Sequence, residues 1–161
     1  MAEHRPDDID PMIYIKITPN RSDALGVHGI ARDLAARGLG RLKPLHIEPV
    51  KGGFPCPVGV TIDPALKQKG CPLFAGRLIR GVTNGPSPGW LQARLKAIGL
   101  RPISALVDIT NFFTFDQNRP LHVFDAGRVS GGLRIHPATG GEDIVALDDK
   151  SYTLRPGMMV I

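Results

Sequence analysis

A stretch rich in proline and glycine restricts the fold of this chain more than any other feature. Residues 40–57, GRLKPLHIEPVKGGFPCP, contain four prolines and three glycines. Proline lacks a backbone donor and glycine weakens both kinds of regular structure, so neither a helix nor a central strand can run through this stretch. The sequence therefore predicts a linker at residues 40–57, between a small segment at 1–39 and a larger one at 58–161.

The small segment is predicted to be a strand followed by a helix. Residues 12–19, MIYIKITP, alternate and are rich in β-branched side chains, which is typical of a strand. We expect the helix to begin at Ser22 or Asp23, whose side chains can cap free amides, and to stop at Gly38. Its apolar face consists of Val27, Ile30, Ala31 and Leu34. Because so small a segment cannot bury this face alone, we expect it to pack against the larger segment or against a partner.

The larger segment is predicted to contain several short strands. Strands are expected at residues 58–63 and 74–82, and an extended piece at 121–124. From residue 133 onward, the sequence predicts further strands. They are interrupted at Gly140 and Gly141 and by a hairpin turn at residues 148–149.

Two helices are expected within the same larger segment. The first has Ser87 as its N-cap, Pro88 at its first position and Gly99 as its stop. The second is expected to begin near Ser104 and to run through ALVDITNFFTF. Together these patterns predict an α/β (α+β) fold, in which a mixed sheet with flanking helices follows a small strand-helix segment.

The composition permits contact with a polyanion and argues against a membrane protein. The chain carries 20 Lys and Arg against 15 Asp and Glu, for a formal net charge of +5. This balance is compatible with RNA contact, although no aromatic-interleaved basic stripe marks a dedicated motif. No apolar run approaches the roughly 20 residues that span a bilayer, and the first ten residues do not resemble a secretory signal. We therefore expect a cytoplasmic protein without membrane contact.

Polar residues inside otherwise apolar runs are the candidates for chemistry. Thr110 lies on the second predicted helix of the larger segment, and His122 lies in RPLHVF. Brought together, they could position a water through hydrogen bonds, although neither is a strong nucleophile without a partner base. The pattern alone favours a structural histidine at position 122 and, for Thr110, a hydroxyl bonded to a carbonyl of its own helix. Asp108 and Asp125 are interpreted as caps or surface carboxylates.

Motifs for nucleotide or metal binding are absent from the sequence. There is no P-loop and no GxGxxG after a strand. The two cysteines and the scattered histidines lack the spacing of a ligand set, which predicts no metal site.

Four runs of the sequence together resemble the bacterial phenylalanyl-tRNA synthetase beta-subunit family. They are ITPNRSDALGVHGIARDLAA, GPSPGWLQARLKAIGLRPISALVDITNF, RPLHVFDAGRV and ALDDKSYTLRPGMMVI. The resemblance covers nearly the whole chain and implies that it is a piece of a longer protein. Residues 1–39 would be the second half of a split small helical domain, and residues 58–161 the first part of the tRNA-editing domain.

The resemblance also implies an activity and partners. The parent would be an aminoacyl-tRNA synthetase that attaches phenylalanine to tRNA(Phe), using ATP and magnesium that this segment does not hold. Its partner would be an alpha subunit, in a heterotetramer of two alpha and two beta subunits. The editing domain of the family hydrolyses tyrosine wrongly esterified to tRNA(Phe). A pocket that hydrogen-bonds the phenolic hydroxyl can refuse phenylalanine, because its own polar groups would then be left unpaired.

The editing positions of the family match Arg101, Thr110, Pro120 and His122. The resemblance implies that His122 and Thr110 orient the hydrolytic water or the terminal ribose, with His122 acting as a base or only positioning the water. Arg101 would hold the site or the tRNA end, and Pro120 would shape the wall. The residues that read the tyrosine hydroxyl lie, in the family, beyond the position of Ile161. The segment alone is therefore expected to be inactive.

Two other functions fit the same residues. One is a non-catalytic module that docks tRNA or another subunit, with His122 and Thr110 in structural roles. The other is a freestanding aminoacyl-tRNA deacylase, against which the helix after Asn20 and Arg21 argues, since in the family that helix belongs to a multi-domain context.

Overall fold

The computed structural model describes residues 2–3, 12–146 and 149–161. Within these residues, the helices are α1 Val27–Ala36, α2 Gly89–Ala97 and α3 Ala105–Gln117. The strands are β1 Ala2–Glu3, β2 Met12–Ile13, β3 Val60–Ile62, β4 Leu133–Pro137, β5 Asp143–Val145, β6 Ser151–Thr153 and β7 Met159–Val160. Helices thus occur together with a mixed sheet, and the predicted α/β (α+β) class is confirmed.

The chain divides into two compact units. The first comprises the described residues of Met1–Pro49 together with Gly81–Val123, and the second comprises Val50–Arg80 with Phe124–Ile161. Residues 40–57 contain neither a helix nor a strand. The three-part division predicted from the sequence, with boundaries at 39 and 57, stays a prediction.

In the first unit, α1 begins later than its sequence predicts. Residues Ser22–Ala24 form a short 3-10 turn, and the N-cap of α1 is Gly26. The carboxylate of Asp23 does not cap the helix but accepts hydrogen bonds from the guanidinium groups of Arg21 and Arg32. The hydrogen bond from Arg21 is also the main reason that the pKa of Asp23 lies below its ordinary value. A local capping signal is therefore overridden by ion pairs.

The predicted stop of α1 is confirmed, but its apolar face is only partly covered. Gly38 has a φ of +80° and donates to the Ala35 carbonyl, while the next amide donates to Leu34, which is the pattern of a Schellman cap. The helix packs against α3, as expected for a helix that cannot stand alone. On the face predicted to be apolar, however, Val27 is 61% and Leu34 is 49% exposed.

The packing of α2 against α3 forms the core of the first unit. Leu91 and Leu95 of α2 are only 2% and 1% exposed, and the ring of Trp90 meets Phe112 of α3 edge to face at 5.7 Å. The stop at Gly99 is confirmed, with a φ of +81°. The predicted start is one residue early, because Pro88 is the N-cap and the helix begins at Gly89.

The second unit contains two small sheets. The larger has the order β3-β4-β7, with β3 parallel to β4 and β4 antiparallel to β7. Ile135 at the centre of β4 is 1% exposed. The smaller sheet is the antiparallel hairpin of β5 and β6. Gly140 and Gly141 precede it with positive φ, which confirms the predicted break. Asp148 of the predicted turn lies outside the described residues, and Asp149 has a φ of +59°.

Two strand predictions were wrong in extent or existence. The strand predicted at residues 12–19 is confined to Met12–Ile13, which is the length that β1 can pair. Residues 74–82 contain no strand. Residues 121–124 also lie outside any strand, and the extended conformation expected for them stays a prediction. Apolar alternation favours a strand, but the strand forms only where a neighbouring backbone accepts and donates its ladder bonds.

Glu142 stabilises the turn before the β5–β6 hairpin in a pH-dependent way. Its carboxylate accepts from the Thr139 hydroxyl at 2.7 Å, from the Thr139 amide at 2.8 Å and from the Gly140 amide at 2.7 Å. These bonds, the Thr139 hydroxyl first, lower the pKa of Glu142 from 4.5 to about 2. Because the folded-state pKa is depressed, the contribution to stability is complete above the unfolded pKa and is lost as the pH falls towards the folded one.

We therefore expect Glu142→Gln to remove part of the acid sensitivity of the protein. Urea unfolding of both proteins at pH values from 5.5 down to about 2 measures this. The difference in the free energy of unfolding between wild type and variant should be constant above the ordinary Glu pKa and should become smaller below it. A gap that does not change with pH would contradict the assignment.

Candidate functional site

Helix α3 carries or flanks all of the predicted site residues. It begins after Ser104, which is extended and makes no side-chain cap bond, and it ends at Asn118 in the left-handed conformation with a φ of 52°. The side chain of Asn118 donates to the carbonyl of Ser22. This contact anchors the point at which the chain leaves α3 and turns towards Pro120 and His122.

Thr110 lies in the middle of α3 and is half-buried. Its hydroxyl donates to the carbonyl of Val107 at 2.7 Å, and its own carbonyl accepts from the Thr114 hydroxyl at 2.9 Å. The back-bonding alternative considered for Thr110 is therefore observed. Because a hydroxyl has one proton and two lone pairs, Oγ1 can still accept a hydrogen bond from another group.

The other three predicted residues are exposed and lie beyond the ends of α3. Arg101 precedes the helix, whereas Pro120 and His122 follow it. A helix of this length is about 20 Å long, so Arg101 and His122 are attached to opposite ends. The guanidinium of Arg101 has no ion-pair or hydrogen-bond partner within residues 12–146 and 149–161. All four residues belong to the first unit. That the Thr110 hydroxyl and the His122 imidazole are brought together to position a water stays a prediction.

Asp108 was interpreted wrongly from the sequence as a cap or a surface carboxylate. It is 0% exposed, and its two carboxylate oxygens accept hydrogen bonds from the Ser87 hydroxyl and from the Ile103 amide. Asp125 does match the interpretation, since it caps a 3-10 turn by accepting from the Gly127 amide at 3.0 Å. Helical spacing could have indicated that Asp108 is buried. It lies four residues before Phe112 and therefore on the side of α3 that meets Trp90.

The second unit contains a basic groove of about 550 Å³, lined by residues 50–54, 56 and 76–80. Its cationic side chains are Lys51, Arg77 and Arg80, and no acidic side chain lines it. Arg77 donates to the carbonyl of Val50, and the guanidinium of Arg80 lies 4.0 Å from the centre of the Phe54 ring. Residues 76–80 of the segment predicted to be a strand therefore line one wall of the groove.

No group of three or more His, Cys, Asp or Glu residues in the described part of the chain is arranged to hold a metal ion. Among the same residues, no helix is long and apolar enough to cross a membrane.

Residues 70–161 match the family model of the B3/4 domain. Because this match covers more than half of the chain, the chain belongs to the B3/4 domain family.

Three relatives are similar over almost the whole chain, and each bears the name phenylalanine–tRNA ligase beta subunit. The protein of Cereibacter sphaeroides is 73% identical over 152 residues, which cover 94% of this chain and 19% of the relative. The protein of Ruegeria pomeroyi is 66% identical over 161 residues, which cover 100% of this chain and 20% of the relative. The protein of Paramagnetospirillum magneticum is 63% identical over 153 residues, which cover 94% of this chain and 19% of the relative. The resemblance carried by the four sequence runs is confirmed, and the chain spans about a fifth of the length of these curated relatives.

Proposed function

We propose that this chain is the part of a phenylalanine–tRNA ligase beta subunit that contributes one wall of an editing site. At that site, tyrosine wrongly attached to tRNA(Phe) would be hydrolysed. The observation that supports the proposal best is the placement of Arg101, Thr110, Pro120 and His122 on α3 or on the segments that flank it, within a single unit. All four residues belong to one unit, as the residues of a single site would.

The reaction is the hydrolysis of an ester. A water adds to the carbonyl carbon of the tyrosyl ester, and the bond from that carbon to the ribose oxygen breaks. The proton lost by the water ends on the leaving ribose oxygen, so that tyrosine and a free terminal hydroxyl are released. The site has to hold the ester, place the water and help the proton to move.

The described geometry suggests different roles for the polar residues. The hydroxyl proton of Thr110 is engaged by Val107, so Thr110 would act as an acceptor for a ribose hydroxyl or for the water. Arg101 is exposed, and its guanidinium suits the phosphate of the tRNA end. His122 would position the water or take its proton, and Pro120 would shape the wall beside it.

The remaining parts of the enzyme would lie outside this chain. The alpha subunit would carry aminoacylation with ATP and magnesium, in a heterotetramer of two alpha and two beta subunits in the cytoplasm. Residues beyond Ile161 would read the tyrosine hydroxyl.

Thr110→Val tests this proposal in the complete ligase. Valine has nearly the same shape but no acceptor oxygen, so we expect hydrolysis of Tyr-tRNA(Phe) to fall about 10-fold, whereas Thr110→Ser should remain close to wild type. Thr114→Val is the matched control, since Thr114 lies one turn further on and also donates to a helix carbonyl. Equal activities for Thr110→Val and wild type would contradict the role of Thr110.

A second candidate function, tRNA docking without catalysis, is favoured by the basic groove of the second unit. Lys51 is exposed at its edge and would neutralise a phosphate. We expect Lys51→Glu to weaken tRNA binding and to reduce the slope of log affinity against log salt by about one. Lys67→Glu, an exposed lysine of the same unit that does not line the groove, is the control. Identical salt slopes for Lys51→Glu and wild type would remove this candidate.

A further inference from the structure

The carboxylate of Asp108 links the start of α3 to the residues before α2 and to the short connection between the two helices. Its oxygen Oδ2 accepts from the hydroxyl of Ser87, which precedes α2, and Oδ1 accepts from the amide of Ile103 at 2.9 Å. Asp108 itself belongs to the first turn of α3. Both members of the side-chain pair are buried, with Asp108 at 0% and Ser87 at 4% exposure. In such surroundings, a polar group that loses its partner incurs the full cost of desolvation, so the arrangement resists change.

The loop before α2 reinforces the same junction. The first amide of α3, that of Ala105, donates to the Gly85 carbonyl at 2.7 Å, and the amide of Leu106 donates to Asn84 Oδ1 at 3.3 Å. The Asn84 amide group also donates to the Ser104 hydroxyl at 3.3 Å. Free amides at the start of a helix are usually satisfied by its own N-cap. Here the loop at residues 84–85 satisfies them, and Ser104 makes no cap bond.

These contacts hold the short connection that carries Arg101. Only Pro102, Ile103 and Ser104 separate Arg101 from α3. Ile103 is 69% exposed, so its side chain is not buried and does not anchor the connection. The hydrogen bond from its amide to Asp108 therefore carries much of the restraint on the direction of Arg101.

We propose that Asp108 is a positioning residue of the editing site, because it holds residues 101–104 against the start of α3 and thereby sets where the Arg101 guanidinium meets the tRNA end. This inference rests on the proposed editing function, and it concerns a residue that would not touch the substrate. A displacement of about 1 Å in a group that holds a substrate can lower a rate by about 100-fold. A buried carboxylate can thus control the reaction from a distance.

The test is a double-mutant cycle in the complete ligase. Asp108→Ala should lower kcat/KM for hydrolysis of Tyr-tRNA(Phe) by about 10- to 100-fold, and it should accelerate hydrogen exchange at residues 101–104. In the Arg101→Ala background, the same substitution should cost less than about two-fold, because the group that it positions is already gone. Asp108→Asn retains an oxygen acceptor for the Ile103 amide and should restore activity to within about three-fold of wild type.

Asp143→Ala is the matched control. The carboxylate of Asp143 also accepts a hydrogen bond from a hydroxyl, that of Thr153 at 2.6 Å. Asp143, however, lies in the β5–β6 hairpin of the other unit. This variant should hydrolyse Tyr-tRNA(Phe) like wild type and should leave hydrogen exchange at residues 101–104 unchanged.

The positioning role would be overturned if Asp108→Ala lowered kcat/KM equally in the wild-type and Arg101→Ala backgrounds. It would also be overturned if Asp108→Ala accelerated hydrogen exchange at residues 101–104 and still hydrolysed Tyr-tRNA(Phe) at the wild-type rate. If Asp108→Ala fails to assemble, Ser87→Ala serves in its place, with an expected loss of about 3- to 10-fold that disappears in the Arg101→Ala background. No loss in Ser87→Ala would then overturn the proposal. Failure of the editing function itself has a different signature, since wild-type ligase would then leave Tyr-tRNA(Phe) intact.

Discussion

Replacement of His122 by alanine in the complete ligase is expected to abolish proofreading and to leave the charging of tRNA(Phe) with phenylalanine intact. His122 is exposed and follows the left-handed end of α3 at Asn118, so its removal leaves no cavity in the core. If the imidazole positions the water or takes its proton, hydrolysis of Tyr-tRNA(Phe) should fall about 100-fold or more. Rates of deacylation and of charging, measured on the same preparations, give the answer.

His46→Ala is the matched control for this experiment. Its side chain is 87% exposed and lies within residues 40–57, where its only ion-pair partner among the described residues is Glu48. The control should retain both activities. Loss of both activities in His122→Ala would indicate a role in folding or docking, and retention of both would rule out the assigned editing role.

Leu95→Ala is expected to cause the largest loss of stability. Leu95 is 1% exposed and lies on the helix that packs against α3. Truncation of a buried leucine removes its transfer free energy and leaves a cavity, which typically costs about 2–5 kcal/mol. Trp90, the only tryptophan, lies beside Phe112 at this contact. Its fluorescence during urea unfolding therefore reports directly on the α2–α3 packing.

Leu73→Ala is the comparison, because that leucine is 80% exposed. It should change the free energy of unfolding by less than about 0.5 kcal/mol. Equal unfolding midpoints for Leu95→Ala and wild type would show that α2 and α3 do not form the core of the first unit.

The helix stops at Gly38 and Gly99 and the start near Ser104 are confirmed, whereas the other two predicted starts are wrong, and the reason is physical. Gly38 and Gly99 end their helices as expected, because glycine has no side chain and adopts a positive φ without strain. The starts at Ser22 or Asp23 and at Ser87 were wrong, because the side chains of Asp23 and Ser87 bind groups other than the free amides of the helix. Asp23 pairs with two arginines and Ser87 donates to Asp108.

The predicted strand at residues 74–82 fails for a related reason. The segment is rich in apolar residues, as strands often are, yet in the structure Arg77 donates to the carbonyl of Val50 and the guanidinium of Arg80 lies over the Phe54 ring. Strand formation depends on a second backbone at the correct distance, and the sequence of one segment does not contain that information.

The sequence by itself determined the family, the class of fold and the ends of two helices, and the residues proposed for editing were inferred from it. These are properties of residue types and of their order along the chain. Only the tertiary structure decided that Asp108 is buried against Ser87 and Ile103, and that the Thr110 hydroxyl already donates its proton to Val107. Hydrogen bonds of this kind depend on which groups the folded chain brings within about 3 Å of each other, and residue order alone does not specify those distances.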